Sequence, residues 1–228
     1  MHRSVARVST ALTACAVAAV LAGCNVQVQL DGGSTPTGPL APPAALGDLA
    51  VAPESHEQSY ARDAFGQRWK DVDRNGCGQR DDVLARDLTD VRKRSRCVVV
   101  AGNLTDPYTG ARVRFDKADA GKVQIDHRVA LAEAWRSGAW QWAAARREQF
   151  ANDLRNLAAS DGQVNQSKGD DDASRWLPEG AARQCTFARQ VIAVKAAYRL
   201  SVDPAEATAL RRALGSCPAA PKPAPTTP

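Results

Sequence analysis

His127 is the histidine best placed for chemistry, because it ends an apolar stretch, "KVQIDH", that is typical of a β-strand. The chain has three histidines, and the other two stand in the extreme N-terminus (His2) and at the edge of a polar linker (His56). A neutral imidazole can take a proton from an attacking water molecule. Asp126, directly before it, offers a carboxylate that can hold a hard cation. The pair alone is also explained by a structural hydrogen bond at a strand end, and it indicates metal-assisted hydrolysis only together with the residues that follow.

A second group of polar residues follows in "NDLRNLAASDGQVNQSKGD". Asn156 precedes a short apolar strand, and Asn165 lies nine residues later, in a polar turn or short helix that Asp161 opens as its N-cap. One carboxylate and one amide oxygen are a sufficient protein contribution to a Mg²⁺ site, since this ion keeps several waters. Asp126 and Asn165 are thus the predicted metal ligands. Lys168 is a weaker candidate, as a point charge for a phosphate oxygen of a substrate.

Together these residues resemble the HNH nuclease superfamily, also called the ββα-metal or His-Me finger nucleases. That pattern has an Asp-His or His-His pair, a central asparagine, and a final histidine or asparagine at the spacing seen here. The stretch from residue 124 to 178 more specifically resembles the nuclease region of GmrSD-type restriction enzymes. The resemblance extends over about residues 58–217.

The resemblance implies an endonuclease that hydrolyses nucleic-acid phosphodiester bonds with Mg²⁺ or Mn²⁺, with DNA favoured over RNA as the substrate. His127 would activate water as the general base, and Asn156 would brace the loop that carries it. The metal on Asp126 and Asn165 would stabilise the leaving 3′ oxygen. Asn165 stands where the family more often has a histidine, which predicts a weakly held, exchangeable metal. The zinc-binding cysteines that brace some members are missing.

The order of predicted elements indicates an α+β fold. For its centre, the resemblance implies a ββα-metal (HNH) core with small antiparallel strands and flanking helices. The spacing of apolar residues, turn signals and β-branched runs predicts helices and strands along the domain. The helices are expected at 56–69, 131–140 with a break at Ser137-Gly138, 142–154, 186–200 and 203–214, and the strands at 97–104, 111–116, 122–126 and 156–160.

Both ends of the chain are predicted to lie outside the folded domain. Residues 1–23 are predicted to be a secretory signal, since a basic start precedes an apolar run too short to span a bilayer as a mature helix. The run ends "LAGC", which resembles the lipobox of bacterial lipoproteins and would leave Cys24 for lipidation; an ordinary signal cut nearby is the alternative. Residues 24–57 and 218–228 are rich in Pro and small polar residues and are predicted to be a disordered tether and tail.

This arrangement leaves 58–217 as the predicted nuclease domain, exported and anchored to the outer face of the cytoplasmic membrane, or secreted. The lipid would be its only membrane contact, and no protein partner is inferred.

Four cysteines remain once Cys15 leaves with the signal and Cys24 serves as the anchor: Cys77, Cys97, Cys185 and Cys217. An even number in an oxidising compartment predicts two disulfides, for which three connectivities exist. Pairs Cys77–Cys97 and Cys185–Cys217 are favoured, since an antiparallel helix pair would bring the last two together. A zinc site is disfavoured, because there is no CxxC and no spare histidine.

The formal net charge of +5 falls when Arg3 and Arg7 leave with the signal, and the remaining excess is too small to establish a polyanionic partner. The segment "DVDRNGCGQRDD", residues 71–82, matches the first half of a calcium loop. Its twelfth position is Asp82 rather than glutamate, so Asx-turns are favoured over a Ca²⁺ site. Two other functions stay open: a non-catalytic, cell-surface binding module, with Ca²⁺ in this loop, and a phosphodiesterase for a small substrate.

Overall fold

Two small antiparallel sheets form from the β-branched and apolar runs. In the computed structural model, which describes residues 45–218, the first sheet has the strand order β1–β2–β3, over Leu88–Lys93, Val99–Thr105 and Arg112–Asp116. The second pairs β4 with β5, over Val123–His127 and Leu157–Asp161. Strands β2 and β3 are the predicted hairpin, with Ala101 opposite Asp116 and Thr105 opposite Arg112. The predicted α+β class is therefore confirmed.

Helices pack around these sheets. Over the described range they are α1 to α6: Gln79–Asp87, Leu131–Arg136, Ala144–Ala151, Gly162–Lys168, Ala181–Tyr198 and Pro204–Gly215. Helix α2 ends where the sequence predicted a break, because Gly138 takes a φ of 125° that side-chain-bearing residues avoid. Among residues 45–218, no helix has both the length and the apolar character needed to cross a membrane.

The helix predicted at residues 56–69 is wrong. The structure has two short 3₁₀ turns there, at Glu57–Ser59 and Arg62–Phe65. Gly66 and Trp69 have φ values of 71° and 57°, in the left-handed region that interrupts any right-handed helix. The apolar spacing reflects burial of single aromatic rings rather than one helical face.

Part of the predicted tether is also structured. Leu49 is buried, and Val51 forms a parallel bridge with Val202. The apolar residues here pack on the helical core. Their burial offsets the entropy cost of ordering this segment, which its composition had suggested would keep it disordered. Residues 1–44 and 219–228, with the predicted signal, Cys24 and most of the tail, lie outside the described residues.

The buried apolar residues fall into two clusters. One lies among the helices, with members such as Phe65, Phe150 and Ile192. The other lies between α1 and the two sheets, with members such as Val83, Val99 and Leu157. Helix α1 and strand β1, which the sequence analysis did not predict, contribute Val83 and Leu88 to this second cluster.

Both predicted disulfides are present. Cys77 and Cys97 lie 5.3 Å apart between Cα atoms, and Cys185 and Cys217 lie 5.0 Å apart. The second bridge joins the first turns of α5 to the end of α6, as expected for an antiparallel helix pair. On the loop-entropy model each bridge stabilises the fold by about 3–4 kcal/mol.

Candidate active site

The predicted site residues lie on β4, directly before β5, and on α4. In the β4–β5 ladder His127 is opposite Leu157 and Asp126 is opposite Ala158. Helix α4 starts directly after β5, where the Asp161 side chain accepts hydrogen bonds from the amides of Gln163 (2.8 Å) and Val164 (3.2 Å). This is the predicted N-cap. Because β5 leads straight into α4, the helix is held against β4.

Two side-chain contacts show how α4 lies on β4. Asn165 donates through Nδ2 to Oε1 of Gln124 at 2.8 Å, and Lys168 donates through Nζ to Oδ1 of Asp126 at 2.9 Å. The spacing of three residues between Asn165 and Lys168 places both on one face of the helix. The structure thus brings Asp126, Asn165 and Lys168 together.

His127 is the last residue of β4 and is 8 % exposed. Its Nε2 lies 2.8 Å from the carbonyl oxygen of Ala151, at the end of α3. Because a carbonyl only accepts, Nε2 carries the proton in the neutral ring and Nδ1 keeps a lone pair. Burial lowers the pKa of His127 to about 4, although the Ala151 carbonyl and Asp126 oppose the change. The ring is therefore neutral, with one basic nitrogen, at ordinary pH.

Asp126 lies in a buried polar cluster. It is 3 % exposed, and besides the Lys168 bond it accepts a hydrogen bond from the hydroxyl of Tyr108. Burial, followed by the charge of Asp126, raises the pKa of Tyr108 well above its ordinary value. Tyr108 comes from "TDPYTG", which the sequence analysis interpreted only as a turn. No local signal marks it, since its contact with Asp126 spans two sheets.

Lys168 is 1 % exposed, and Nζ donates to the carbonyl of His127 at 2.9 Å in addition to Asp126. Two of its three donors are used inside the protein. This placement does not favour the predicted contact with a substrate phosphate. It makes Lys168 a fixed partner of the Asp126 carboxylate and of the backbone at the end of β4.

Asn156 is fully buried and holds the segment that follows His127. Its Nδ2 donates to the carbonyl of Val129 at 3.0 Å, and its Oδ1 accepts from the amide of Val129 at 2.9 Å. Its own carbonyl accepts from the amide of Arg128 at 2.8 Å. The side chain fixes the backbone directly after the histidine, in the place where the predicted bracing role requires it.

An open cleft of about 650 Å³ is lined by Asp126, His127 and Asn165. Although neighbouring strand residues point to opposite faces, β4 ends at His127, and both residues are in the lining of this one cleft. Its wall also includes the aromatic residues Tyr60 and Trp69 and the arginines Arg62, Arg68 and Arg80. The sequence analysis missed these arginines, because "ARDAFGQRW", with Arg62 and Arg68, and helix α1, with Arg80, lie far from the site along the chain.

The donor set at Asp126 fits a hard divalent cation. A carboxylate has about four lone-pair sites, of which Lys168 and Tyr108 use two. Asn165 donates through its nitrogen, so its Oδ1 has the right chemistry for a second ligand. One carboxylate and one amide oxygen suit Mg²⁺ or Mn²⁺ with waters completing the shell. The nearby ammonium of Lys168 reduces the local negative charge and disfavours tight binding.

The segment 71–82 forms Asx-turns. The Asp71 carboxylate accepts from the amides of Asn75 (3.1 Å) and Gly76 (2.8 Å), and Asn75 Oδ1 accepts from the amide of Cys77 (2.7 Å). The bond from Cys77 to Asn75 is an Asx-turn, and each of these oxygens keeps a further lone pair, so the hydrogen bonds do not decide between the turns and the Ca²⁺ alternative.

Comparison with known proteins places the chain in a family. Residues 78–213 match the family described as "GmrSD restriction endonucleases, C-terminal domain". An "Uncharacterized secreted protein" of the fungus Arthroderma benhamiae is 39 % identical over 189 residues, covering 80 % of this chain and 90 % of the relative. No solved structure is significantly similar to the chain.

Proposed function

This chain belongs to the family of the C-terminal domain of GmrSD restriction endonucleases, and from that membership we propose an exported, metal-dependent endonuclease. Its substrate would be nucleic acid, with DNA favoured over RNA. The observation that carries the proposal is the cleft in which His127, Asp126 and Asn165 meet beside three arginines. We propose that β4, β5 and α4 are the ββα core of an HNH nuclease.

His127 would act as the general base. The Ala151 carbonyl fixes the tautomer, so Nδ1 is the nitrogen that takes the proton from water. The oxygen of that water bonds to phosphorus, and the bond from phosphorus to the 3′ oxygen breaks. The 3′ oxygen takes up a proton, and the products carry 5′-phosphate and 3′-hydroxyl ends. Asn156, through its two hydrogen bonds to Val129, would fix the position of the backbone that carries His127.

Asp126 and Asn165 would hold the Mg²⁺ or Mn²⁺ ion. When bound, the ion supplies positive charge for the phosphoryl oxygens and the leaving 3′ oxygen. Lys168 and Tyr108 orient the carboxylate of Asp126 by occupying one lone pair on each of its oxygens.

Export is proposed from the apolar N-terminal run and is supported by the relative that is named a secreted protein. Two disulfides fit an oxidising compartment. Lipidation of Cys24 and anchoring to the outer face of the membrane remain part of the proposal, on the strength of the "LAGC" sequence.

Nicking of supercoiled plasmid tests the function. The disulfide-bonded chain, produced in an oxidising compartment, is expected to nick plasmid in Mg²⁺ or Mn²⁺ and to lose this activity in EDTA. Labelled product ends should show 5′-phosphate and 3′-hydroxyl groups. Single-stranded DNA and RNA run in parallel establish the preferred polymer. A folded sample that cleaves none of these substrates would contradict the proposal and favour the non-catalytic binding module.

The arginines of the cleft are proposed to bind the phosphate backbone. Arg62 and Arg68 are exposed, and neither is in a salt bridge with another residue in 45–218. Replacing Arg62 with alanine is expected to weaken DNA binding by about tenfold or more, the loss of one charge-assisted contact. The slope of log affinity against log salt should fall by about 1.

These affinities are measured with the His127→Ala chain, so that the DNA stays intact. Arg92→Ala, an exposed arginine of β1 outside the cleft, is the matched control and should leave both quantities unchanged. Equal losses in the two variants would show only a general charge effect and would remove Arg62 from the proposed interface.

A further inference from the structure

A second acidic site lies outside the cleft. Glu54, Asp172 and Asp203 each offer a carboxylate oxygen, and these atoms all lie within 4.8 Å of one another. The three residues come from the N-terminal segment, the loop after α4 and the N-cap of α6. The bridge between Val51 and Val202 brings the first and last of these segments together. Three like charges at this separation repel unless a cation lies among them.

Asp172 supplies an independent sign of a missing ligand. Its side chain is buried at 4 % exposure, and its Oδ1 accepts from the amide (2.7 Å) and hydroxyl (2.6 Å) of Ser174. Its Oδ2 has no hydrogen-bond partner among residues 45–218. A buried carboxylate oxygen without a partner is unfavourable, and native proteins satisfy nearly all such atoms.

The neighbouring arginines do not neutralise the negative charge of these three carboxylates. Arg136 Nε lies 3.1 Å from Oε1 of Glu54 without forming an aligned hydrogen bond, and its Nη1 is bound to Asp170 at 2.7 Å. Arg175 reaches only to 4.0 Å from Oε2 of Glu54. Within the described chain, neither Asp172 nor Asp203 is in a salt bridge.

Further acidic groups adjoin the same place. Glu133 and Glu206 share the ammonium of Lys195, and with Asp172 they line a void of about 10 Å³, room for about one water-sized sphere. Glu133 Oε2 is a second buried oxygen without a hydrogen-bond partner in the part of the chain that the structure describes. Burial raises the pKa of Glu54; Arg136 opposes this change, and the charges of Glu133 and Asp172 add a smaller increase. The unpartnered oxygens of Asp172 and Glu133 thus lie near the same small void.

We propose that Glu54, Asp172 and Asp203 bind one Ca²⁺ ion. Ca²⁺ accepts six to eight oxygen ligands in flexible geometry, and it tolerates several carboxylates. Mg²⁺ requires near-ideal octahedral geometry and is usually held by one or two carboxylates with waters, so three carboxylates from separate segments suit it less well. Backbone carbonyls and waters would complete the shell.

The ion would tie three segments together at one point. Asp172 follows α4 by four residues, and Asp170 in between lines the cleft and is bound to Arg136. The site therefore anchors the segment leaving the helix that carries Asn165. Binding of this ion does not depend on the proposed nuclease activity, so either proposal can be disproved without the other.

Calcium titration of the disulfide-bonded, chelator-stripped chain tests the site, with calorimetric binding and thermal unfolding as readouts. At Ca²⁺ a hundredfold above its Kd, the Tm of the wild-type chain should rise by about 5 °C or more. The Asp172→Asn variant keeps the acceptor for Ser174 but loses the charge, so its Tm should respond by less than about 1 °C. In chelator, this variant should be at least as stable as the wild-type chain, because one repelling charge is gone.

Asp73→Asn in the 71–82 loop and Asp119→Asn, at an exposed aspartate outside the site, are the controls, and both should keep the Ca²⁺ response. Glu54→Gln provides a second variant of the site and should lose it. No binding heat and no Tm shift in the wild-type chain would overturn the proposal. A response kept by Asp172→Asn and Glu54→Gln, or lost in either control, would place the ion elsewhere and would also overturn it.

Discussion

The His127→Ala variant is expected to cleave plasmid about 10²- to 10⁴-fold more slowly than the wild-type chain while remaining folded. Nε2 of the ring is hydrogen-bonded to the Ala151 carbonyl, which leaves Nδ1 as the nitrogen that can accept a proton from a water molecule. Removing the ring removes the base and leaves the other groups of the cleft in place. Initial nicking rates at saturating Mg²⁺ measure the effect, and circular dichroism confirms the fold.

His56→Ala is the matched control. His56 is exposed, stacks on Trp140 with ring centroids 3.7 Å apart, and is not among the residues that line the cleft. Its loss should leave the nicking rate within about twofold of wild type, since surface substitutions cost little. Equal rates for the wild-type and His127→Ala chains would remove His127 from the mechanism.

The pH dependence of the wild-type rate follows from the same residue. Burial lowers the pKa of His127 from its usual 6.5 to about 4, so the neutral, basic form persists when the pH falls to 5. Since kcat/KM reports the free enzyme, its acid limb should fall near pH 4. An acid limb near 6.5 would contradict a desolvated base. If the variant His127→Ala has residual activity, its pH–rate profile must lack this acid limb.

The site was predictable from the sequence to the extent that it is local. Asp126 and His127 end one strand, Asn156 precedes its partner strand, and Asn165 and Lys168 lie one helical turn apart on the helix that follows. An antiparallel pair followed directly by a helix leaves few ways to arrange these residues. The same holds for the Cys185–Cys217 bridge, which joins the outer ends of two consecutive helices.

The contacts that the sequence did not predict are the long-range ones. Tyr108 reaches Asp126 from the β2–β3 turn, and Arg62 lines the cleft from a segment of short 3₁₀ turns. That segment is fixed by tertiary contacts. Phe65 lies 6.2 Å from both Trp135 and Phe150 between ring centroids, and the amide of Gln67 donates to Glu148 at 3.0 Å. Periodicity cannot encode such contacts, so it predicted a helix where packing selected turns.

Lys168→Met is expected to destabilise the domain by about 3–5 kcal/mol, because it would leave the Asp126 carboxylate buried without its cation. Lys168 Nζ and Asp126 Oδ1 are 2.9 Å apart, and the two side chains are 0 % and 4 % exposed. Urea unfolding at neutral pH measures the loss as a lower midpoint at unchanged slope. Lys117→Met, which removes an exposed lysine, should change stability by less than about 0.5 kcal/mol.

The double variant Asp126→Asn/Lys168→Met separates the two roles considered for Lys168. If the lysine serves the buried carboxylate, neutralising both partners should recover much of the lost stability, with a coupling energy of about 1–3 kcal/mol. If it serves a substrate phosphate instead, Lys168→Met should be nearly as stable as wild type and should bind DNA more weakly. The burial of Nζ, with donors already committed to Asp126 and to the His127 carbonyl, predicts the first outcome. Lys168 would then act on catalysis only by fixing the carboxylate that the metal requires.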